Sequence, residues 1–263
     1  MHVLAGLGRA WASRFIEVQG IDRAMALAAQ AFSALIPLLI VVTALVPRDD
    51  ERDFADGVIE QFELTGSAAA SFREAFSSTA SVQEGISLFG VVLTLVSALA
   101  FSRGLQRLYE GAYRLPSRGI RGSGSGLAWL GLLAAYTGLR PVVAGLFETA
   151  MPQLVVSVAL ATLVWTATPY VLLGQRLALR TLLPGALMAA TGLVVLVIGS
   201  AIWLPQAISS AAEQFGLIGV GFALLSWLVV AGVVLVAAAT GGAVAAERWL
   251  QAPQALEGRP GPP

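Results

Sequence analysis

The chain has 263 residues, of which 57% are apolar and 12% charged, with a mean hydropathy of +0.78 and a formal net charge of zero. Soluble domains carry about a quarter charged residues, so this composition excludes an ordinary soluble domain and places the chain in the membrane class. Cysteine is absent and His2 is the single histidine, which removes thiol chemistry and thiolate metal sites and leaves imidazole catalysis almost without material.

At the N-terminus, Leu4, Leu7, Trp11, Phe15 and Val18 recur at helical spacing, with Arg9 and Arg14 elsewhere on the wheel. This pattern predicts an amphipathic elbow helix over residues 1–22, lying in the cytoplasmic interface. A hydrocarbon core about 30 Å thick needs roughly 20 apolar helical residues to cross it. Six segments within 23–248 fit: Ala24–Val46, Ile86–Ser102, Gly126–Phe147, Leu154–Leu173, Leu182–Trp203 and Leu217–Ala245. The predicted fold class is therefore an all-α polytopic membrane protein with six transmembrane helices.

Residues 47–84 carry Phe54, Val58 and Phe62, then Phe72 and Phe76, two apolar stripes that predict a short helical extracytoplasmic cap. Asp49, Asp50, Glu51, Asp53 and Asp56 supply oxygen ligands, but their spacing fits no calcium loop; they read as a solvated face, and no metal or other cofactor is expected. The stretch 103–125 is predicted to be a cytoplasmic loop whose Arg103, Arg107, Arg114, Arg118 and Arg121 face anionic lipid head groups, at about 1 kcal/mol each. Its RGIRGSGSG segment has neither a preceding strand nor a GK[ST] ending, so it reads as a linker and not a phosphate loop. The tail 249–263 is rich in Pro and Gly and reads as disordered.

All sixteen basic residues are Arg, and twelve of them fall before span one, between spans two and three, between four and five, or after six. The positive-inside rule then puts both termini in the cytoplasm.

Within the spans, Arg140 stands out, since an arginine near the bilayer centre costs about 2.5–3.5 kcal/mol. Either it snorkels to the outer interface or it lines a cavity. Pro141 follows it directly, and Pro37 and Pro169 sit in spans one and four; each removes a backbone donor and is expected to bend or break its helix. Gln30, Tyr136 and Thr162 are further candidates to line a cavity. Gly185 with Ala189, and Gly216 through Gly221, are small-residue patterns suited to helix packing.

With these spans in place, the sequence resembles the YihY/BrkB family of bacterial inner-membrane proteins. The resemblance rests on RAMALAAQAFSALIPLL at 23–39, SRGLQRLYEGAYRLPSR at 102–118, TLLPGALMAA at 181–190 and QFGLIGVGFALLSW at 214–227. It implies six spans, a bacterial inner-membrane location and an envelope- or lipid-related role. The older label of ribonuclease attached to some members does not suit this chain: phosphodiester hydrolysis needs a metal cluster or an acid–base pair in a pocket, and every carboxylate lies outside or at the rim of the predicted spans. The expected function is transport or flipping of an anionic amphiphile such as a lipid head group. The alternative is a scaffold or accessory subunit that moves nothing. Membrane lipids are the expected partners, a homo-oligomer is compatible with the sequence, and neither enzymatic activity nor nucleic-acid binding is expected.

Overall fold

The computed structural model describes the backbone of residues 2–45, 70, 83–146 and 150–257, and the side chains of most of them. The predicted cap, with its acidic cluster and phenylalanines, lies outside the described residues. So do the side chains of Leu4, Pro37, Arg121, Arg140 and Pro141, and the last six residues of the tail.

Among the described residues all regular structure is helical. Helices α1 (His2–Glu17), α2 (Gly20–Leu45) and α3 (Gln83–Ala112) are followed by a 3-10 turn (Gly119–Gly122), then by α4 (Ser123–Gly145) and α5 (Ala150–Leu172). A final helical run, Leu179–Glu257, is interrupted at Gly216, where φ 60° and ψ −144° are non-helical. A side chain would be strained at that φ, so glycine permits the break. The arms before and after it are α6 and α7. By length and composition, three described stretches suit a membrane crossing: Val91–Ala112, Leu179–Gly216 and Ile218–Trp249.

Several boundaries differ from those read in the sequence. The helix of span two runs on to Ala112, so Arg103 and Arg107 stand on α3 and not in a loop. RGSGSG is no slack linker: it forms the 3-10 turn and the first turn of α4. Residues 204–216, between the predicted spans five and six, belong to α6, and the tail continues α7 to Glu257. Of the bend or break expected at Pro37, Pro141 and Pro169, the break is not seen, since α2, α4 and α5 each continue past them. Proline deletes one backbone hydrogen bond, and a helix held on both sides of it can absorb that loss.

The chain divides into two compact units. One comprises Met1–Arg23, Ser102–Leu193 and Val233–Pro263; the other comprises Ala24–Phe101 and Val194–Gly232. In the first unit α6 and α7 meet through small residues. The nearest non-neighbouring atoms to a Cβ built on Gly242 are backbone atoms of Gly185 and Pro184, and Ala189 and Ala238 are buried nearby in sequence. This matches the packing role read for Gly185 and Ala189. In the same unit α4 packs on α5, with Trp129 Nε1 donating to Thr168 Oγ1 at 3.2 Å. In the second unit Leu204, Ile208 and Ala212 of α6 pack against Val220, Ala223, Leu224 and Trp227 of α7.

Helix α1 carries its predicted apolar stripe, and Val18, just past its end, is 4% exposed. Trp11 Nε1 donates to Ala237 O and Thr240 Oγ1, both at 3.1 Å. Arg14 departs from expectation. Read as a charge lying elsewhere on the wheel from the apolar stripe, it is 4% exposed and donates to Ala112 O and to Glu247. Its guanidinium meets one of the carbonyls that the C-terminus of α3 leaves without an intrahelical partner.

Candidate functional site

Two helix ends build a polar pocket among the described residues. Helix α3 closes in a Schellman arrangement: Leu115 N donates to Glu110 O at 2.8 Å and Arg114 N to Gly111 O at 3.2 Å, with Arg114 at φ 51°. The chain turns back there, and Arg118 N donates to the Glu110 side chain at 3.1 Å. Helix α5 ends in the same way. Gln175 N donates to Tyr170 O and Gly174 N to Val171 O, both at 2.9 Å, with Gly174 at φ 63°. That turn delivers Arg176, whose Nε donates to Leu173 O at 2.9 Å, Nη1 to Pro116 O at 2.8 Å and Nη2 to Glu110 Oε1 at 3.0 Å.

Two features favour glycine at 174. Its φ lies in the left-handed region, and a Cβ there would run into the Arg118 guanidinium. Gly174→Ala is expected to cost at least ~1–2 kcal/mol from backbone strain alone, read as a lowered midpoint in thermal unfolding of the detergent-solubilised protein. A midpoint equal to that of the parent would contradict this geometry.

Arg103, Gln106, Arg107 and Glu110 follow one another at i, i+3, i+4 and i+7, which sets them on one face of α3. With Ser117 and Gly119 they line a cavity of about 220 Å³. Gln106 and Glu110 form its floor, 4% and 3% exposed, with Gln106 Nε2 donating to Glu110 Oε1 at 2.9 Å. Arg103 and Arg107 are exposed at its rim. Beside it, Arg23 donates to Val18 O and Arg107 O, both at 2.6 Å. Burial pulls the Arg23 guanidinium below its ordinary pKa, and the neighbouring Arg107 charge adds to this. Arg118 Nη1 is buried with no partner. The result is a small polar cavity with guanidinium groups at its rim and one buried carboxylate in its floor. That chemistry suits an anion.

A second cavity, of about 410 Å³, is lined by Trp203, Phe215, Ile218 and Phe222 among others. The hydroxyl of Ser226, its polar contributor, is bonded to Phe222 O at 2.8 Å, so this cavity offers no comparable chemistry.

The residues singled out in the sequence fall in different places. Arg103 and Arg107 line the polar cavity. Arg118 folds over it by its backbone, while Arg114 is spent on Glu17, with Nη2 to Oε2 at 2.7 Å. Gln30 belongs to the other unit, where its Oε1 is buried without a partner, as are Thr94 Oγ1 and Trp227 Nε1. Tyr136 and Thr162 are half-buried in α4 and α5. The orientation of Arg140 falls outside the described side chains. Sequence reading passed over Gln106, Glu110 and Arg176. The signal for the first two was present in the 103-106-107-110 spacing, once α3 is known to extend that far.

No curated protein and no solved structure matches the chain. The family model described as Virulence factor BrkB matches residues 11–260, nearly the whole length. The long apolar helices and this match make the chain a membrane protein, and it belongs to the BrkB family.

Proposed function

We propose that the chain is a transporter or flippase that moves an anionic amphiphile, a lipid or lipid-linked head group, across the bacterial inner membrane. The observation that carries this reading is the polar cavity at the end of α3, with Arg103 and Arg107 at its rim and Glu110 in its floor. Six spans with both termini in the cytoplasm form part of the reading. They are supported by the arginine asymmetry along the chain and by the length of α3, α6 and α7. On that orientation the cavity opens where anionic head groups of the inner leaflet lie. The reading involves no catalysis: the pocket's groups bind and orient, and movement of the head group needs no bond to break.

The test is reconstitution into liposomes with fluorescently labelled anionic lipid, scoring translocation against empty vesicles. The parent chain is expected to accelerate translocation. Arg107→Gln is expected to slow it by about tenfold, the effect of losing one charge-assisted contact, while leaving incorporation into the vesicle unchanged. Rates equal to those of empty vesicles across a panel of anionic lipids would reject transport and leave the scaffold reading.

A further inference from the structure

Three donors converge on a single oxygen of Glu110. Gln106 Nε2, Arg118 N and Arg176 Nη2 all reach Oε1, at 2.9, 3.1 and 3.0 Å, and no donor among the described residues reaches Oε2. The side chain is 3% exposed, yet it lines the cavity. Oε2 is left to accept from whatever occupies the cavity, water or a ligand. Its nearest protein donors are already committed to the other oxygen.

This limits what the cavity can hold. A bare anion would pair with Arg107 but be repelled by Oε2. A bare cation would pair with Oε2 but be repelled by the Arg107 guanidinium. A group that carries a phosphate and, beside it, a hydroxyl or ammonium satisfies both ends at once. The volume of about 220 Å³ falls below the ~300–1,000 Å³ of pockets for drug-sized ligands. It suits a compact head group and excludes a whole lipid.

We infer that the cavity selects a phosphate-bearing group with an adjacent hydrogen-bond donor, with Arg107 holding the phosphate and Glu110 Oε2 accepting from the hydroxyl or ammonium. The inference rests on the reading of the cavity as the head-group site and adds the residue that sets its specificity. Glu110 is the discriminating group; Arg107 is not.

The experiment titrates the purified full chain in detergent with short-chain phosphatidylglycerol, phosphatidylethanolamine, phosphatidylcholine and phosphatidic acid. Glycerol 3-phosphate and inorganic phosphate serve as soluble probes. Phosphatidylglycerol and phosphatidylethanolamine are expected to bind about tenfold tighter than phosphatidylcholine and phosphatidic acid, the effect of one hydrogen bond to a charged group. Glu110→Gln turns an amide donor toward the cavity and is expected to erase that ranking. Arg107→Gln should weaken all four lipids alike and preserve it. Equal affinity of the parent chain for phosphatidylglycerol and phosphatidylcholine overturns the inference, whether or not Glu110→Gln folds. If glycerol 3-phosphate binds as tightly as phosphatidylglycerol, the selectivity of the site holds and the amphiphile reading fails. If the ranking holds but reconstituted vesicles show no translocation, transport alone fails.

Discussion

Gly242→Leu is expected to abolish the packing of α6 on α7 in the first unit, and with it the yield of monodisperse protein. Even the first carbon of the new side chain has no room. A Cβ at Gly242 would meet the Cα and N of Gly185, and the carbonyl carbon of Pro184 lies 3.4 Å away. These are backbone atoms, so no rotamer change relieves the contact and the helices themselves must separate. Between membrane helices there is little hydrophobic driving force, and close packing of small residues is what holds them. Separation would therefore remove much of the association energy along with the clash. Overpacking a tight interior costs ~1–3 kcal/mol or more, against a total stability of about 5–15 kcal/mol for a typical protein. Gly242→Ala should fall in the overpacking range and Gly242→Leu above it. Gly131→Leu on α4 is the control, since a Cβ there meets nothing within 4 Å. Thermal unfolding with size-exclusion profiles decides. A Gly242→Leu protein with the parent's midpoint would mean that the helices do not approach this closely.

How much of this was legible in the sequence depends on the range over which the determining contact acts. The helical α1, the three long apolar stretches of α3, α6 and α7 and the close approach at Gly185 follow from local periodicity and residue size, and the structure places them as expected. Helix ends were harder. The stop of α3 lies at Ala112 because Arg114 adopts the left-handed conformation, a position where glycine would have announced itself. With α3 taken to end at Ser102, the spacing of Arg103, Gln106, Arg107 and Glu110 had no helix to sit on, and the arginines were read as loop charges. Glu110 itself was passed over as a rim carboxylate. Its role comes from Arg176, 66 positions away, and no periodicity links the two. The prolines misled in the opposite sense. A local rule predicts a bent or broken helix, whereas α2, α4 and α5 continue past their prolines, and the non-helical residue falls at Gly216.

Arg14 shows the same limit. It also carries the second large expected effect, since Arg14→Met should destabilise the first unit by ~2–4 kcal/mol, from the loss of hydrogen bonds to a charged group at about 1.5–3 kcal/mol each. The guanidinium is 4% exposed, with Nη1 on Ala112 O at 2.5 Å and Nη2 on both oxygens of Glu247 at 2.8 and 2.9 Å. It therefore joins α1 to the last turn of α3 and to α7, and its charge complements the negative end of the α3 dipole. Methionine retains the apolar stem and removes all three hydrogen bonds. Glu247 is 45% exposed and regains water, which keeps the loss from rising further, but the Ala112 carbonyl loses a charged donor. The matching control is Arg114→Met. Arg114 and Glu17 are 58% and 47% exposed, so their bridge is screened by solvent and its loss should barely move the unfolding midpoint. The pH dependence separates the two pairs. The hydrogen bond from Arg114 holds the Glu17 carboxyl below its ordinary pKa, with the charges of Arg114 and Arg14 adding to it. The stability this provides is present above the unfolded carboxylate value of about 4.3 and is lost as pH falls through the lower folded value. At neutral pH Glu17 is ionised, so the gap between Arg14→Met and the parent contains the Arg14 Nε–Glu17 Oε2 bridge at 3.5 Å as well as the contacts to Ala112 and Glu247; the Arg114–Glu17 bridge is common to both proteins. A midpoint for Arg14→Met within error of the parent at pH 7, with α1 still resistant to protease, would show that the helix is held by its apolar stripe alone.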